Sequence, residues 1–282
     1  MLPQPDDGFA WVPLRGGEAL VCRALEPYAA HLFTTRDWRL GSAPADRRDD
    51  AWSDVAAAAG VDAGHLVRLT QVHGSAVVVA RGDAALTTLS PRPAADIVVA
   101  DDRGIAIAIQ TADCVPLLIA DRRSGAVAAA HAGWRGIAAR VPQKAVAALR
   151  EHFGSHPADL IAAIGPSIGA CCYEVGVDVR DAFAAASFDV DQTSCWFTDA
   201  PRPTARNPSM PSVARRQPRP DRWYFDGWSA VRHQLEQTGV PPDRLHAADL
   251  CTGSHPELCS YRRDGSAAGR IAAVIRSRGV RA

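Results

Sequence analysis

The sequence predicts a mixed α+β fold, in which a series of short strands is followed by amphipathic helices and a closing strand. Residues 66–131 contain six short apolar runs rich in β-branched residues and alanine, separated by tight polar turns. Several of these runs are apolar at almost every position, which indicates strands covered on both faces by helices or by a second sheet. After Gly136 the apolar residues recur at helical spacing instead.

Each predicted element is bounded by residues that end regular structure. The strands between 66 and 131 are, in chain order, VRLT, AVVVA, DIVVA, IAIAI, VPLLIA and AVAAAH. A helix follows in IAARVPQKAVAALREHF, where Pro142 predicts a kink because its ring clashes with the preceding helical turn. A strand in LIAAIG, helices over 177–186 and 229–237, and a last strand in IAAVI complete the expected order.

One segment interrupts this pattern. Residues 198–222 are rich in Pro, Arg and Ser, a composition that buries little apolar surface and predicts an exposed, disordered insertion. A basic tether that recruits a partner is the alternative interpretation of the same composition.

Composition disfavours several classes of protein. The 282 residues carry 31 Lys and Arg against 31 Asp and Glu, a balance that argues against binding to nucleic acid or to an anionic membrane. No stretch reaches the roughly 18 apolar residues of a membrane helix, and the N-terminus lacks the basic start and apolar run of a signal peptide. The 7 cysteines are irregularly spaced, which favours a reducing compartment. We therefore expect a cytoplasmic protein, whose oligomeric state the sequence does not fix.

Three residues carry the strongest chemical signal: His73 in QVHG, Cys114 in TADC and His131 in AHAGWRG. Two imidazoles and a thiolate are ligands that hold catalytic zinc with one position left open. The three residues lie 41 and 17 positions apart, too far for a finger-type site, so the fold must assemble them. Each falls at a predicted strand end, and we expect all three within one contiguous sheet. Taken singly, a cysteine packed in the core and histidines in turns are the plainer interpretations.

Charged residues accompany these three. Asp113 precedes Cys114, where it either orients a ligand imidazole, acts as a base, or only stabilises the turn. Arg135 begins a predicted helix whose free N–H groups, with the guanidinium, suit a phosphate group; an exposed arginine is the alternative. Arg262 and Arg263 in SYRRDG either clamp an anion or stack on a base, or they remain solvated in a turn.

Other cysteines have no assigned chemistry. Cys171 and Cys172 are adjacent in IGPSIGACCYEVG, and neighbouring cysteines rarely bridge each other, so we expect them to pack near a pocket wall. The sequence leaves open whether Cys171, Cys172 and Cys251 have a role beyond packing.

Five motifs in this order, QVHG, TADC, HAGWRG, IGPSIGACCYEVG and SYRRDG, resemble the laccase-domain family. Its members are also described as polyphenol oxidase, YfiH-type protein and purine nucleoside phosphorylase. The resemblance begins near residue 31, which implies a single domain over 31–282 with an N-terminal extension, 1–30. It implies an α/β (mixed α+β) fold of layered mixed β-sheets with flanking helices, YfiH-like. It also implies zinc at His73, Cys114 and His131, the residues selected above from their chemistry.

The resemblance implies a zinc-dependent purine nucleoside phosphorylase that acts on adenosine, inosine, guanosine and methylthioadenosine and also deaminates adenosine. Its partners are then a small-molecule nucleoside and phosphate. The expected catalytic residues are His73, Cys114, His131 and Asp113. The expected substrate- and phosphate-binding residues are Arg36, Arg135, Arg262 and Arg263.

Three other functions stay open at this point. A hydrolase that edits peptidoglycan precursors with the same metal is the first alternative. A non-catalytic scaffold that recruits a partner through residues 198–222 is the second. Copper oxidation of phenols is the third, since imidazole and thiolate also bind copper. It is disfavoured because the 9 histidines include no His-x-His pair of the kind that holds copper in multicopper oxidases.

Overall fold

The computed structural model describes residues 2–41, 48–81, 91–188, 190–210, 213 and 219–279. Its strands are β1 Phe9–Leu14, β2 Gly17–Cys22, β3 Ala29–Thr34, β4 Leu66–Arg68, β5 Val77–Ala80, β6 Ile97–Ala100, β7 Ala106–Thr111, β8 Val115–Asp121, β9 Val127–Ala132, β10 Leu160–Ile164, β11 Glu174–Gly176, β12 Phe197–Thr198, β13 Arg222–Phe225, β14 Leu245–Ala247 and β15 Ile271–Ser277. Its helices are α1 Arg48–Ala58, α2 Trp134–Ala138, α3 Val141–Phe153, α4 Val177–Ala185, α5 Val190–Ser194, α6 Gly227–Gln237 and α7 Tyr261–Asp264.

Two six-stranded sheets form the centre of the structure. The first has the order β1-β2-β3-β15-β7-β4, and its strands are antiparallel except for the β4–β7 pair. The second has the order β14-β10-β8-β9-β6-β5, with a parallel pair at each edge. A small antiparallel sheet, β11-β13-β12, joins the core on the side of the second sheet.

Both large sheets are buried on both faces. In β8, Leu117 and Ile119 pack with the apolar sides of α3 and α6, whereas Leu118 and Ala120 pack with the first sheet. The opposite face of the first sheet packs against α1 through residues such as Val55. The order of layers is therefore helix, sheet, sheet, helix. This confirms the predicted layered α+β fold and explains why the strands are apolar along their whole length.

The helix predicted after Gly136 is two helices. Arg140 has a left-handed backbone conformation, φ 63°, and separates α2 from α3. Pro142 lies in the first turn of α3, where the backbone N–H groups have no partner within the helix, so the N–H that proline lacks is not needed. The predicted kink is therefore wrong, because the chain breaks the helix before the proline rather than bending at it.

The N-terminal 30 residues are part of the first sheet. β1 pairs with β2, and β2 pairs with β3, so the expected extension supplies two strands to the layered core. Leu20 and Cys22 are fully buried there. The boundary expected at residue 31 thus lies inside a sheet and separates no structural unit.

The expected insertion, 198–222, is described except for 211–212 and 214–218, which lie outside the described residues. Its described part is attached to the domain through Asn207, which is 1% exposed. The Asn207 amide donates to the Asp249 carbonyl oxygen at 3.0 Å and accepts from the Cys251 N–H at 2.8 Å. Most of the described residues of this segment are exposed, as its composition predicts, and the one buried amide satisfies the backbone of the neighbouring loop. Among the described residues, no helix is long and apolar enough to cross a membrane.

Candidate metal centre and active site

The three predicted metal ligands lie at the junction of the two large sheets. His73 follows β4 of the first sheet and precedes β5 of the second; Cys114 lies between β7 and β8, again one strand from each sheet; His131 is in β9. Their ligand atoms all lie within 4.8 Å of one another. The structure brings the three together, but the expectation of one contiguous sheet is wrong, because two of the ligands lie on loops that pass from one sheet to the other.

A residue missed by sequence reasoning, Asp96, positions the His131 imidazole and the backbone of His73. Its buried carboxylate bonds to His131 Nδ1 at 2.8 Å and accepts the backbone N–H groups of Val72, His73 and Gly74 at 3.2, 3.0 and 2.7 Å. These three N–H groups fold the loop around the carboxylate and support the positive φ of 57° at His73. Because Nδ1 of His131 is held by a carboxylate, its Nε2 is the nitrogen available to a metal, as is usual for metal-bound histidine.

The ligand groups alter one another's protonation. Burial opposes a charge on Cys114, but hydrogen bonds with His131 and His73 outweigh it and lower the pKa of the thiol to about 7. Burial also disfavours a charged His131, yet its bonds to Asp96 and Cys114 raise the pKa of that imidazole to about 9. For Asp96, the bonds from His131 and the backbone overcome burial and lower the carboxyl pKa. A thiolate that forms near neutral pH is the form in which cysteine binds a metal, so this donor set fits zinc.

Gly133 makes room for the ligands. A Cβ at this position would lie 2.9 Å from Cys114 Sγ and 3.2 Å from His73 Cδ2. The glycine in the HAGWRG motif is therefore explained by the close approach of the ligand side chains to its Cα atom.

A cavity of about 500 Å³ opens over the ligands. Its lining includes three aromatic side chains and three cations, which are Trp134, Tyr173, Tyr261, Arg135, Arg262 and Arg270. Its size is that of a small-molecule site. Tyr173 is consistent with the expectation that the CCYEV segment lies near a pocket wall, and burial raises the pKa of its phenol, which keeps its proton.

Two predicted anion-binding residues reach this cavity. Arg135 lies over the Trp134 ring, with its Cζ 4.1 Å from the ring centroid. Arg262 lies 5.1 Å from the Tyr173 centroid and donates to the Glu174 carbonyl oxygen at 2.8 Å. Both guanidinium groups are thus oriented by an aromatic face, a geometry that keeps planar donors ready for an oxyanion.

Two other predicted residues are engaged elsewhere. Arg36 forms an ion pair with Asp264 and does not line the cavity. Arg263 donates to the carbonyl oxygens of Thr252, His255 and Leu258 at 2.6–2.9 Å, so it closes a loop. Arg270, which sequence reasoning did not select, lines the cavity in their place. It lies just before β15, in a segment with no motif to mark it.

Asp113 does not orient an imidazole. Its two carboxylate oxygens accept from the Thr252 hydroxyl and from the backbone N–H of Arg262, each at 2.6 Å. The prediction of imidazole orientation by Asp113 is therefore wrong, and Asp96 has that role. Asp113 has a φ of 89°, which is strained for a non-glycine residue. Its two bonds hold this corner, so it fixes Cys114 on one side and the backbone of Arg262 on the other.

The layered fold is found in solved relatives. The crystal structure of YlmD from Geobacillus stearothermophilus superposes with a TM-score of 0.76 at 26% sequence identity, covering 96% of this chain and 99% of that chain. Fold and ligand arrangement thus define a YfiH-like α+β protein with a His-Cys-His group at the edge of two sheets.

The chain belongs to the family described as multi-copper polyphenol oxidoreductase laccase, whose sequence profile matches residues 45–278. A Bacteroides thetaiotaomicron protein named purine nucleoside phosphorylase is 35% identical over 64% of this chain, which spans 60% of that relative's length. A Deinococcus radiodurans protein of the same name is 35% identical over 87% of this chain and 88% of its own length.

Proposed function

We propose that this protein is a zinc-dependent purine nucleoside phosphorylase that accepts adenosine, inosine, guanosine and methylthioadenosine and also deaminates adenosine. The observation that carries the proposal is the His73, Cys114 and His131 group at the base of a cavity with arginines on its wall. The name shared by the Bacteroides and Deinococcus relatives supports the same reaction class.

In this proposal, arginine side chains bind the phosphate. Phosphorolysis joins a phosphate oxygen to the anomeric carbon of the ribose and breaks the bond from that carbon to the purine, which leaves with the electron pair. Arg135, Arg262 and Arg270 all line the cavity and are permanent cations, so they neutralise the phosphate and hold it on one side of the sugar. Asp113 acts here as a positioning residue, because it fixes the backbone from which Arg262 projects.

The other walls suit a purine nucleoside. Trp134, Tyr173 and Tyr261 offer flat faces for a base. Thr111 also lines the cavity, and its buried hydroxyl has no hydrogen-bond partner among the described residues. Burial raises the pKa of the Tyr173 phenol, so it keeps its proton and is available to donate a hydrogen bond to a ring nitrogen of the purine.

His73, Cys114 and His131 would hold the zinc ion, which when bound supplies Lewis acidity beside the reacting atoms. Asp96 holds the His131 imidazole and the backbone of His73, and Gly133 leaves the space that the Cys114 sulfur occupies. Among the described residues, this group is the one set of potential ligands that contains histidine, the other being three cysteines. Chemistry that needs several histidine-held coppers therefore has little support.

The test is product analysis with adenosine, with and without phosphate, on zinc-quantified protein. We expect adenine and ribose 1-phosphate only with phosphate, inosine from deamination, and loss of both activities and of one zinc per chain in Cys114→Ala. Cys195→Ala is the matched control, because Cys195 is exposed and outside the site. Normal phosphorolysis by Cys114→Ala would overturn the proposed zinc mechanism. Absence of nucleoside turnover in zinc-loaded protein would overturn the phosphorylase and make a peptidoglycan precursor the next substrate to test.

A further inference from the structure

A second cluster of ligand-forming side chains lies outside the proposed active site. The sulfur atoms of Cys171, Cys172 and Cys251 all lie within 4.8 Å of one another. All three residues are buried, with exposures of 2%, 0% and 0%, and all three are free thiols. Three sulfurs bound to one metal ion at about 2.3 Å are themselves about 4 Å apart, so the cluster needs only a small contraction to hold an ion.

The cluster is formed by two loops that the fold brings together. Cys171 and Cys172 follow β10, and Cys251 follows β14, which pairs with β10 in parallel. A parallel bridge between Ser167 and Cys251 extends that pairing and aligns the two loops. The arrangement is thus set by the backbone of the second sheet and does not depend on surface side chains.

Polar groups lie around the three sulfur atoms. The Gly169 N–H donates to Cys251 Sγ at 3.3 Å, and the Ser254 hydroxyl lies 3.5 Å from the sulfurs of both Cys171 and Cys172. The Ser254 hydroxyl donates its hydrogen to the Pro208 carbonyl oxygen at 2.7 Å, so its oxygen faces these two sulfurs as an acceptor. The Gly169 N–H is the donor placed to stabilise a thiolate, that of Cys251. Gly253 leaves the space for Cys172, since a Cβ there would lie 3.0 Å from Cys172 Cβ and 3.3 Å from its sulfur.

The donor set selects the kind of ion. All three donors are soft sulfur atoms, and the side chain of Met210, one of 2 methionines in the chain, packs against the same cluster. No carboxylate or imidazole atom of the described residues belongs to the group. Structural zinc takes four ligands, whereas three thiolates suit a monovalent soft ion such as Cu(I).

We infer that Cys171, Cys172 and Cys251 form a buried binding site for a soft monovalent metal ion of the Cu(I) type, separate from the His-Cys-His group. The ion braces the wall of the proposed active site, because Tyr173 follows Cys172 directly and Thr252, which bonds Asp113, follows Cys251. The inference does not rest on the proposed nucleoside chemistry.

The test uses Cys114→Ala protein, in which the first site is disabled, titrated without oxygen with Cu(I) supplied as its acetonitrile complex against a chromophoric Cu(I) chelator. We expect one Cu(I) retained per chain, and X-ray absorption with three sulfur atoms at about 2.3 Å. The further variant Cys114→Ala/Cys172→Ala is expected to retain none. Cys114→Ala/Cys195→Ala is the matched control and is expected to retain one.

Three results would overturn the site: no Cu(I) retained by Cys114→Ala, a copper shell of nitrogen atoms, or equal retention by the two double variants. The X-ray absorption measurement requires only Cys114→Ala, so it decides the question even if the Cys172 variant fails to fold. Circular dichroism of each variant separates loss of the site from loss of the fold.

Discussion

Replacing Asp96 by Asn tests how the candidate metal centre is held. Oδ1 of Asp96 bonds the His73 N–H and His131 Nδ1, and Oδ2 accepts from Val72 and Gly74. An Asn side chain has one oxygen, so its amino group faces two donors whichever way it turns. Hydrogen bonds to a charged group contribute about 1.5–3 kcal/mol each, so losing two costs about 3–6 kcal/mol of unfolding free energy. Loss of a carboxylate behind a ligand histidine lowers metal affinity about 10–100-fold.

Two measurements on Asp96→Asn check this reasoning. Urea unfolding of the metal-free protein gives the change in stability, and zinc titration against a chromophoric chelator gives the change in affinity. Asp102→Asn is the matched control, because the Asp102 carboxylate accepts one backbone N–H, from Gly104 at 2.6 Å, in a turn away from the ligands. We expect the control to retain wild-type zinc affinity. Zinc affinity of Asp96→Asn within twofold of the wild type would refute the role assigned to Asp96.

Three further predictions follow from particular contacts. Gly133→Ala is expected to weaken zinc binding at least tenfold in the same chelator titration, because its Cβ would lie 2.9 Å from Cys114 Sγ. Gly64→Ala is the control, since a Cβ there meets nothing within 4 Å. Equal zinc affinities of the two variants would contradict the steric argument. Burial lowers the pKa of His31 from 6.5 to about 4, so the unfolded chain binds more protons between these values and stability falls by up to about 3 kcal/mol as pH drops through that window. His31→Gln has no titrating group and should flatten this slope in urea unfolding at pH 4–7, whereas an unchanged slope would assign it to other groups. Arg135→Met is expected to raise the KM for phosphate about tenfold with little change in the midpoint of urea unfolding. Arg263→Met is expected to lower that midpoint, because three carbonyl oxygens lose their donor. The opposite pattern would mean that Arg263 binds phosphate and Arg135 stabilises the fold.

Much of the second sheet could be predicted from the sequence, because its strands are short, apolar and separated by polar turns. Runs such as VPLLIA are apolar throughout because β8 packs against helices on one face and against the first sheet on the other. The three candidate metal ligands could also be selected from the sequence, because two imidazoles and a thiol together form a zinc-type donor set even though each residue alone has a plainer interpretation. The chemistry of a side chain can be read from its residue type, whereas the pairing of strands depends on segments that are distant in the sequence.

The residues that sequence analysis missed act through distant contacts. Asp96 begins an apolar strand and resembles an ordinary turn residue, yet it bonds a loop 22 to 24 positions earlier and a histidine 35 positions later. The SYRRDG motif presents two arginines, and only the backbone path shows that Arg262 faces the cavity while Arg263 turns to the carbonyl oxygens of its own loop. The first two strands were missed because the bounds of the domain were taken from the family resemblance, which begins near residue 31.

The passage of the ligand loops between two sheets has a consequence for how the chemistry is tuned. His73 and Cys114 each lie on a loop that passes from one sheet to the other, so the distances between the three candidate ligand atoms depend on the spacing of the sheets. That spacing is set by interlocking side chains such as Ile107 and Leu118, which form the apolar layer between the sheets and are not among the lining residues of the cavity. One large-to-small substitution in this layer is therefore expected to shift these loops relative to His131 and to change the distances among the three candidate ligands from outside the cavity.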